Sequence, residues 1–442
     1  MWKLAWPTVV QNAIGGLQGI IDHAMVGHYV GFTANAAIGV SWQIFLVVIV
    51  FISSLFTGMG VLVARYTGAN LHEKVNRTVY QAFLTALVIG LGVMAPFGYL
   101  VSPYLLDLVH ATPQVRAEAL PFLRTMFVFS IGLLMFFMLG GALRAAGDAR
   151  TPMRLGIAMT ILNVAFNVVL IPGWGPIPAF GVKGAAIGTS AASILVSGVG
   201  MWLLLSGRLI VTFPREMSWR PDWGIVRALF RFGLPAGVQG VAMNLAGVAL
   251  LRFIGSLEHS AEAQAAYAVG YAELFSLITW TSVGLMGAAG AVAGQNLGAG
   301  HPERTMRAVQ IAAQIGLGVA ACVSAMFLLI PEQLLAIFGL KDPVVVNLGK
   351  ELLRYLSVSG FFITVALTYT GGLQGTGDTR SPLYITLVSQ VVVPIGMCAT
   401  LQATGHLTSS GVWTAILLGH VTRCVLTVGR FRQAKWRSIV VE

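Results

Sequence analysis

Long apolar runs separated by short polar breaks dominate the pattern of this chain. Three of them, WQIFLVVIVFISSLF, VYQAFLTALVIGLGVMAPFGYL and AVQIAAQIGLGVAACVSAMFLLI, carry no charged residue. An α-helix needs about 20 apolar residues to cross a bilayer, whereas a barrel strand alternates apolar and polar positions over about 10 residues. The runs therefore predict an all-α polytopic membrane protein. We predict twelve spans, at 5–27, 34–63, 79–101, 120–143, 152–173, 181–206, 225–253, 264–292, 308–330, 352–374, 382–403 and 411–431.

Composition and charge agree with this assignment. Of the 442 residues, 56% are hydrophobic and only 10% are charged, against about 25% charged in soluble domains. The net charge of +11 first suggests nucleic acid. With both termini in the cytoplasm, however, most of the 27 Lys and Arg residues fall on the inner side of the predicted spans, which is the bias that orients membrane helices. We therefore expect the lipid bilayer, and no nucleic acid, as a partner.

The sequence contains an internal duplication. GALRAAGDARTP (141–152) and GGLQGTGDTRSP (371–382) share six of twelve positions at an offset of 230 residues. ARYTGANLHEKVNR (64–77) matches GQNLGAGHPERTMR (294–307) at the same offset, and WPTVVQN (6–12) matches LPAGVQG (234–240) at 228. We predict an N-terminal lobe at 1–206, a cytoplasmic linker at 207–224, and a C-terminal lobe with a short basic tail at 225–442. Six helices per lobe give both lobes the same orientation, related by a pseudo-twofold axis along the membrane normal.

The repeated phrase GDARTP/GDTRSP is typical of a tight turn between helices. The glycine would end one helix, Thr151 or Ser381 would cap the next, and the following proline would take its first turn. Asp148 and Asp378 would each lie beside the arginine two positions later. We expect a structural or gating role here rather than ligand binding.

Asp22 is the first candidate for function, because an ionisable residue inside a membrane marks a functional site by default. It lies fifteen residues after Pro7 in the first span. About 22 Å of helix separates the two, so the carboxylate falls either in the outer third of the bilayer or among the headgroups.

Polar residues of the fifth and sixth spans form the second candidate. Asn163 and Asn167 are four apart and share a helix face, and they need partners on other helices or an ion. Thr189 could add a hydroxyl group. The stretch LLR at 250–252, which matches Asp22 in the second copy, contains no acid, and Glu273 is the one carboxylate near the start of the eighth span, a secondary candidate.

The sequence argues against an enzyme. It has no H-E-x-x-H, no P-loop and no G-x-S-x-G motif, and His23 and His28 lack a third ligand for a metal. Without a P-loop, uphill transport would depend on an ion gradient. A membrane enzyme or a receptor that transports nothing stays an alternative.

Four stretches together resemble the MATE (multidrug and toxic compound extrusion) family. They are IDHAMVG, GQNLGAGHPER, LQGTGDTRSP and LNVAFNVVLIPGWGPIPAFGVKGAAIGT, and the similarity extends over essentially the whole chain, closest to bacterial, DinF-like members. The resemblance implies a monomeric antiporter of the bacterial inner membrane. It would export organic, mostly cationic, compounds by alternating access in exchange for H⁺ or Na⁺, with no cofactor besides that coupling cation.

The resemblance also implies roles for particular residues. Asp22 matches the carboxylate that binds the coupling cation, and Pro7 matches the proline at which the first helix bends. Asn163, Asn167 and Thr189 match the polar residues that complete the cation site, where Na⁺ would be the one metal expected. The acids that some members carry in the seventh and tenth spans are not matched, which argues against a second-lobe Na⁺ site.

A lipid-linked oligosaccharide flippase, or another lipid or metabolite flippase of the same superfamily, is the alternative. Such a protein would hold a diphosphate with cationic residues in its cavity. The predicted spans carry Arg and Lys almost exclusively near their ends, which disfavours an anionic lipid substrate.

Overall fold

The structure is a computed structural model that describes residues 2–109, 111–213 and 219–440, with the side chains of 16–20, 23, 24, 32, 33, 35 and 36 left out. Within these residues it is all-α; the sole β feature is an isolated bridge between Trp174 and Ile177. The α-helices are α1 Trp2–Tyr29, α2 Phe32–Ser53, α3 Leu55–Gly68, α4 His72–Leu87, α5 Ala95–Leu108, α6 Pro113–Val128, α7 Ser130–Ala146, α8 Arg150–Leu170, α9 Gly181–Leu205, α10 Trp223–Ile254, α11 Ser260–Tyr267, α12 Ser276–Gly298, α13 Pro302–Leu329, α14 Pro331–Ile337, α15 Pro343–Gly375, α16 Arg380–Thr386, α17 Val393–Ala403 and α18 Ser409–Arg432. Three π-helical segments connect consecutive helices: α4 and α5 are joined by Val88–Met94, α11 and α12 by Ala268–Leu274, and α16 and α17 by Leu387–Val392.

The helices coincide with the predicted spans. Ten continuous helical stretches in the described part of the chain are long and apolar enough to cross a membrane. The pair α6 and α7, bent by 50°, makes an eleventh, and the 28-residue α1 covers the first predicted span. The prediction of an all-α, twelve-helix membrane protein is confirmed, while the pseudo-twofold axis stays a prediction.

Contacts divide the chain into two compact units. The first unit comprises Val10–Gly237, and the second comprises Met1–Val9 with Val238–Glu442. Both α1 and α10 are thus divided, at points 228 residues apart, which is the offset that relates 6–12 to 234–240. Each unit therefore contains most of the helices of one copy of the repeat together with the N-terminal piece of the first helix of the other copy.

The two repeated loops have the predicted glycines, but the residues that cap the following helices are not the predicted ones. Gly147 and Gly377 adopt the left-handed φ angles of 108° and 98° that end the preceding helices. The next helix is capped by the aspartate: Asp148 Oδ1 accepts from the backbone N–H of Thr151 at 3.0 Å, and Asp378 Oδ1 from that of Ser381 at 3.2 Å. The predicted capping by the hydroxyl groups of Thr151 and Ser381 is wrong, because the carboxylate already reaches the exposed N–H groups.

The ion pairing of these loops also differs from the prediction. Asp378, which is 6% exposed, pairs with Arg430 of α18, whose Nε and Nη2 lie 2.9 and 2.8 Å from Asp378 Oδ2. Arg380, two positions away in sequence, does not form this pair. Among the described residues Asp148 has no ion pair. In the second copy an ion pair therefore joins the loop to α18. In the first copy the described residues include no corresponding ion pair.

The described parts of the linker are held by α4. Asn76 Oδ1 accepts from the backbone N–H of Thr212 at 3.1 Å, and Gln81 Oε1 from that of Asp222 at 3.1 Å. Arg77 completes the contact with an ion pair to Asp222 at 2.6 Å. The linker is thus part of the first unit on both sides of residues 214–218.

The two loop aspartates give a matched test of this difference. We expect Asp378→Asn to lower the free energy of unfolding by about 2 kcal/mol, because it removes a charge-assisted hydrogen bond at a buried position. Asp148→Asn weakens only a cap and should cost about 1 kcal/mol or less. Thermal unfolding of both variants in the same detergent checks the order, and equal losses would contradict the role given to Arg430.

Candidate functional site

One junction is built in the same way in both units. In the first unit Arg144 Nη1 of α7 donates to Gln11 Oε1 of α1 at 3.1 Å. In the second, Gln374 Nε2 of α15 donates to Gln239 Oε1 of α10 at 3.4 Å. These pairs stand at the offsets of the repeat, 228 for Gln11/Gln239 and 230 for Arg144/Gln374. The duplication is thus preserved in contacts as well as in sequence, and it fixes the helix that carries Asp22.

A chain of hydrogen bonds connects α1, α8 and α9 in the first unit. Asn167 Nδ2 donates to Asp22 Oδ1 at 2.7 Å and lies 3.4 Å from Asn163 Oδ1. Asn163 Nδ2 in turn donates to Thr189 Oγ1 at 2.9 Å. The structure therefore brings all four predicted residues together, and the Asp22 carboxylate is at one end of this series of hydrogen bonds.

The amides of this cluster are enclosed by protein, whereas the carboxylate is partly open. Asn163 and Asn167 are 0% exposed and Thr189 is 9% exposed, while Asp22 is half-buried. Asn167 Oδ1 is a buried acceptor with no hydrogen-bond partner. Leaving such an atom unpaired costs about 1–3 kcal/mol, so this oxygen is an acceptor still available to a donor or a cation.

The donor set fits a monovalent cation. Carboxylate, amide and hydroxyl oxygens are the ligands that hard metal ions take, and the carboxylate can equally take a proton. Within the described residues no group of three His, Cys, Asp or Glu side chains could hold a metal. With its single carboxylate, the cluster suits H⁺ or Na⁺ better than a divalent ion. The roles of Asp22, Asn163, Asn167 and Thr189 in ion binding stay predictions.

The other two candidates lie elsewhere. Pro7 is buried in the part of α1 that belongs to the second unit, and the helix runs through it without a break. Glu273 is half-buried in the π-helical segment Ala268–Leu274 of the second unit. The bending role of Pro7 and the secondary role of Glu273 are untested predictions.

The second unit has no copy of the polar cluster. At the offset of 230, Gly181, Val182 and Ala185 of α9 match identical residues of α18, which fixes the alignment. At this offset the positions of Asn163, Asn167 and Thr189 are occupied by Val393, Met397 and Gly419. The two units thus share a scaffold and differ in their polar interiors, as the lack of an acid at 250–252 indicates.

Two residues near candidate sites were not predicted from the sequence. Gly188 of α9 lies beside the site, where an added Cβ would fall 2.3 Å from Asn167 Oδ1. Arg423 lies nine residues before the end of α18 and is 1% exposed. The expectation that Arg and Lys are confined to the ends of the spans is therefore wrong for α18. The signal was present in the sequence LLGHVTRCVL, which places an arginine in an apolar run.

A duplicated, twelve-helix membrane fold with a carboxylate that accepts a hydrogen bond from a buried amide in one copy is typical of membrane transporters. The MatE family model matches this chain twice, over residues 7–169 and 235–400. The chain belongs to the MATE family, a family of multidrug transporters rather than enzymes.

Similarity to known proteins extends over nearly the full length of this chain. The probable multidrug resistance protein NorM of Thermotoga maritima is 26% identical over 99% of this chain and 93% of its own length. The multidrug resistance protein MdtK of Pectobacterium atrosepticum is 25% identical over 97% and 94%. A solved outward-facing conformation of a multidrug resistance MATE family transporter of the MOP superfamily superposes with a TM-score of 0.90 at 21% identity, covering 99% and 96% of the two chains. The NorM and MdtK relatives are bacterial, and the closer affinity to the DinF-like branch stays a prediction.

Gly188 gives a specific test of the polar cluster. We expect Gly188→Ala to push the Asn167 amide away from Asp22, because the new Cβ would overlap Asn167 Oδ1. Drug efflux should fall about 10-fold, as expected for the loss of about one charge-assisted hydrogen bond. Gly198→Ala, on the same helix and with nothing within 4 Å of the added Cβ, is the matched control and should transport normally. Equal activity of both variants at equal expression would contradict the proximity of Asn167 to the transport site.

Proposed function

We propose that this protein is a multidrug efflux antiporter that exports organic cations in exchange for H⁺ or Na⁺ by alternating access. The observation that carries the proposal is the hydrogen bond from Asn167 Nδ2 to Asp22 Oδ1 at 2.7 Å within a membrane-spanning part of the chain. The full-length similarity to multidrug resistance proteins supports the same class of substrate. The location proposed with it is the bacterial inner membrane, with both termini in the cytoplasm.

The Asn167 amide offers both of its ends to the site. In this structure its NH₂ group donates to Asp22 and its Oδ1 has no partner. Rotation of the amide would present Oδ1 to a cation at the carboxylate, with Asn163 and Thr189 completing the oxygen ligands. The same side chain would then stabilise Asp22 both with and without its ion.

The coupling ion can supply enough energy for export. One cation moving inward through a membrane potential of about 150 mV releases about 3.5 kcal/mol, which sustains a gradient of a few hundred-fold for a neutral substrate. One-for-one exchange with a monovalent organic cation cancels this electrical contribution. A gradient of pH or Na⁺, or a second coupling ion, must drive export in that case.

Asp22→Asn tests the proposal directly. The variant keeps the shape of the side chain and removes the charge, so we expect at least a 10-fold loss of dye efflux from proteoliposomes. Wild type should extrude a fluorescent cationic dye under an imposed H⁺ or Na⁺ gradient, and the gradient that works identifies the ion. Asp107→Asn is the matched control, because Asp107 is an exposed carboxylate of the first unit that pairs with Arg116.

Two outcomes would count against this proposal. Normal efflux by Asp22→Asn would exclude the first-unit site and leave Glu273 as the next candidate. No dye movement by wild type under either gradient would remove the drug-export assignment and favour the flippase alternative.

A further inference from the structure

The second unit contains a cavity of about 340 Å³ between α10, α11, α17 and α18 and two of the π-helical segments. This volume lies in the range of about 300–1,000 Å³ that small-molecule sites occupy. Its walls include Met243, Tyr267, Tyr271, Gln390 and His420. The cavity is therefore large enough for a small organic molecule and mixes aromatic with polar side chains.

A buried guanidinium group lies directly behind one wall. Arg423 Nη1 is 3.9 Å from the sulfur of Met243, a side chain that lines the cavity. Arg423 is three residues from His420, so the two share a face of α18. Among the described residues no carboxylate lies within 4 Å of the guanidinium nitrogens. A positive charge buried without an anion is costly, and this one contacts Met243, a flexible side chain of the cavity wall.

Side chains of the cavity wall, and of the layer that packs against it, include buried hydrogen-bond donors without a partner. Arg423 Nε, Gln390 Nε2 and Trp413 Nε1 are buried without a partner, and His420 Nδ1 is also unpaired. Arginine, the amide NH₂ and the indole N–H only donate. A ligand that reaches Gln390 and Arg423 would therefore supply acceptor atoms and a negative charge.

The aromatic side chains form a column of nearly parallel rings. Tyr267 stacks on Tyr271 with centroids 5.0 Å apart and an interplanar angle of 8°, and on Trp413 at 6.3 Å and 5°. Tyr271 stacks on His420 at 6.5 Å and 10°. Because Tyr267, Tyr271 and His420 line the cavity, a planar aromatic ligand can pack beside these rings.

We propose that this cavity binds an aromatic carboxylate, with the carboxylate at Arg423 and the ring against the tyrosines. The planar guanidinium matches a carboxylate through two parallel hydrogen bonds, and a single buried positive charge is balanced by a single negative one. Met243 moves aside to let the two groups meet. The site lies wholly within the second unit and does not depend on the antiport mechanism or on Asp22.

Binding to the purified full-length protein tests this site. The probes are 2-naphthoate and its neutral analogue 2-naphthamide, measured by calorimetry in detergent. We expect naphthoate to bind at least 10-fold more tightly than naphthamide. Arg423→Gln should weaken naphthoate binding about 10- to 100-fold, the effect of losing a charge-assisted bond, and leave naphthamide binding unchanged.

Controls separate the site from general charge and from lipid. Arg252→Gln removes the same charge from an exposed position of the second unit and should not alter binding. Equal affinity of the wild type for the two probes would overturn the proposal, whether or not Arg423→Gln folds. In nanodiscs, naphthoate binding that is abolished by phosphatidylglycerol but present in phosphatidylcholine would assign the guanidinium to an anionic lipid headgroup and would also overturn it.

Discussion

A carboxylate inside a membrane-spanning helix requires hydrogen-bond donors or a cation, because neither lipid nor an apolar helix face replaces the water it has lost. Asp22 obtains a donor from Asn167, and that contact determines much of the first unit. It requires α1 and α8 to lie close together, and the bond from Asn163 to Thr189 extends the requirement to α9. The same hydrogen bonds therefore form the polar interior and hold α1, α8 and α9 together. Ion binding at Asp22 would act on all three helices.

The duplication explains how such a site can exist in one copy only. Both copies keep the junction of Gln11 or Gln239 with the equivalent helix, and both keep a left-handed glycine and a capping aspartate in the following loop. These features maintain the scaffold. The interior positions differ between the units: the first has a carboxylate at Asp22, and the second has a guanidinium at Arg423, which is not at the position equivalent to Asp22.

Much of this arrangement could be predicted from the sequence. The apolar runs determine the spans because helices in lipid must satisfy their own backbone groups, and the repeat is visible by direct comparison. Asp22, Asn163, Asn167 and Thr189 are conspicuous because polar residues are rare in such runs. The MATE resemblance connected residues on three separate helices, which spacing alone could not do.

What the sequence did not indicate depends on contacts between distant residues. Asp378 pairs with Arg430, 52 positions away, rather than with its neighbour Arg380. Either the aspartate or the hydroxyl residue of each loop could cap the following helix. Which of them does so depends on the backbone angles of the loop, and the sequence permits both. The clash that reserves position 188 for glycine likewise appears only when α8 and α9 are packed together.

In the proposed antiporter, the coupling cation and the drug are linked through Asp22. The most direct test counts the H⁺ or Na⁺ ions released when a cationic dye binds to the purified protein in weakly buffered detergent solution. We predict release of about one ion per dye bound by the wild type and none by a protein with a neutral side chain at position 22. Equal release by both proteins, or no release by the wild type, would contradict the claim.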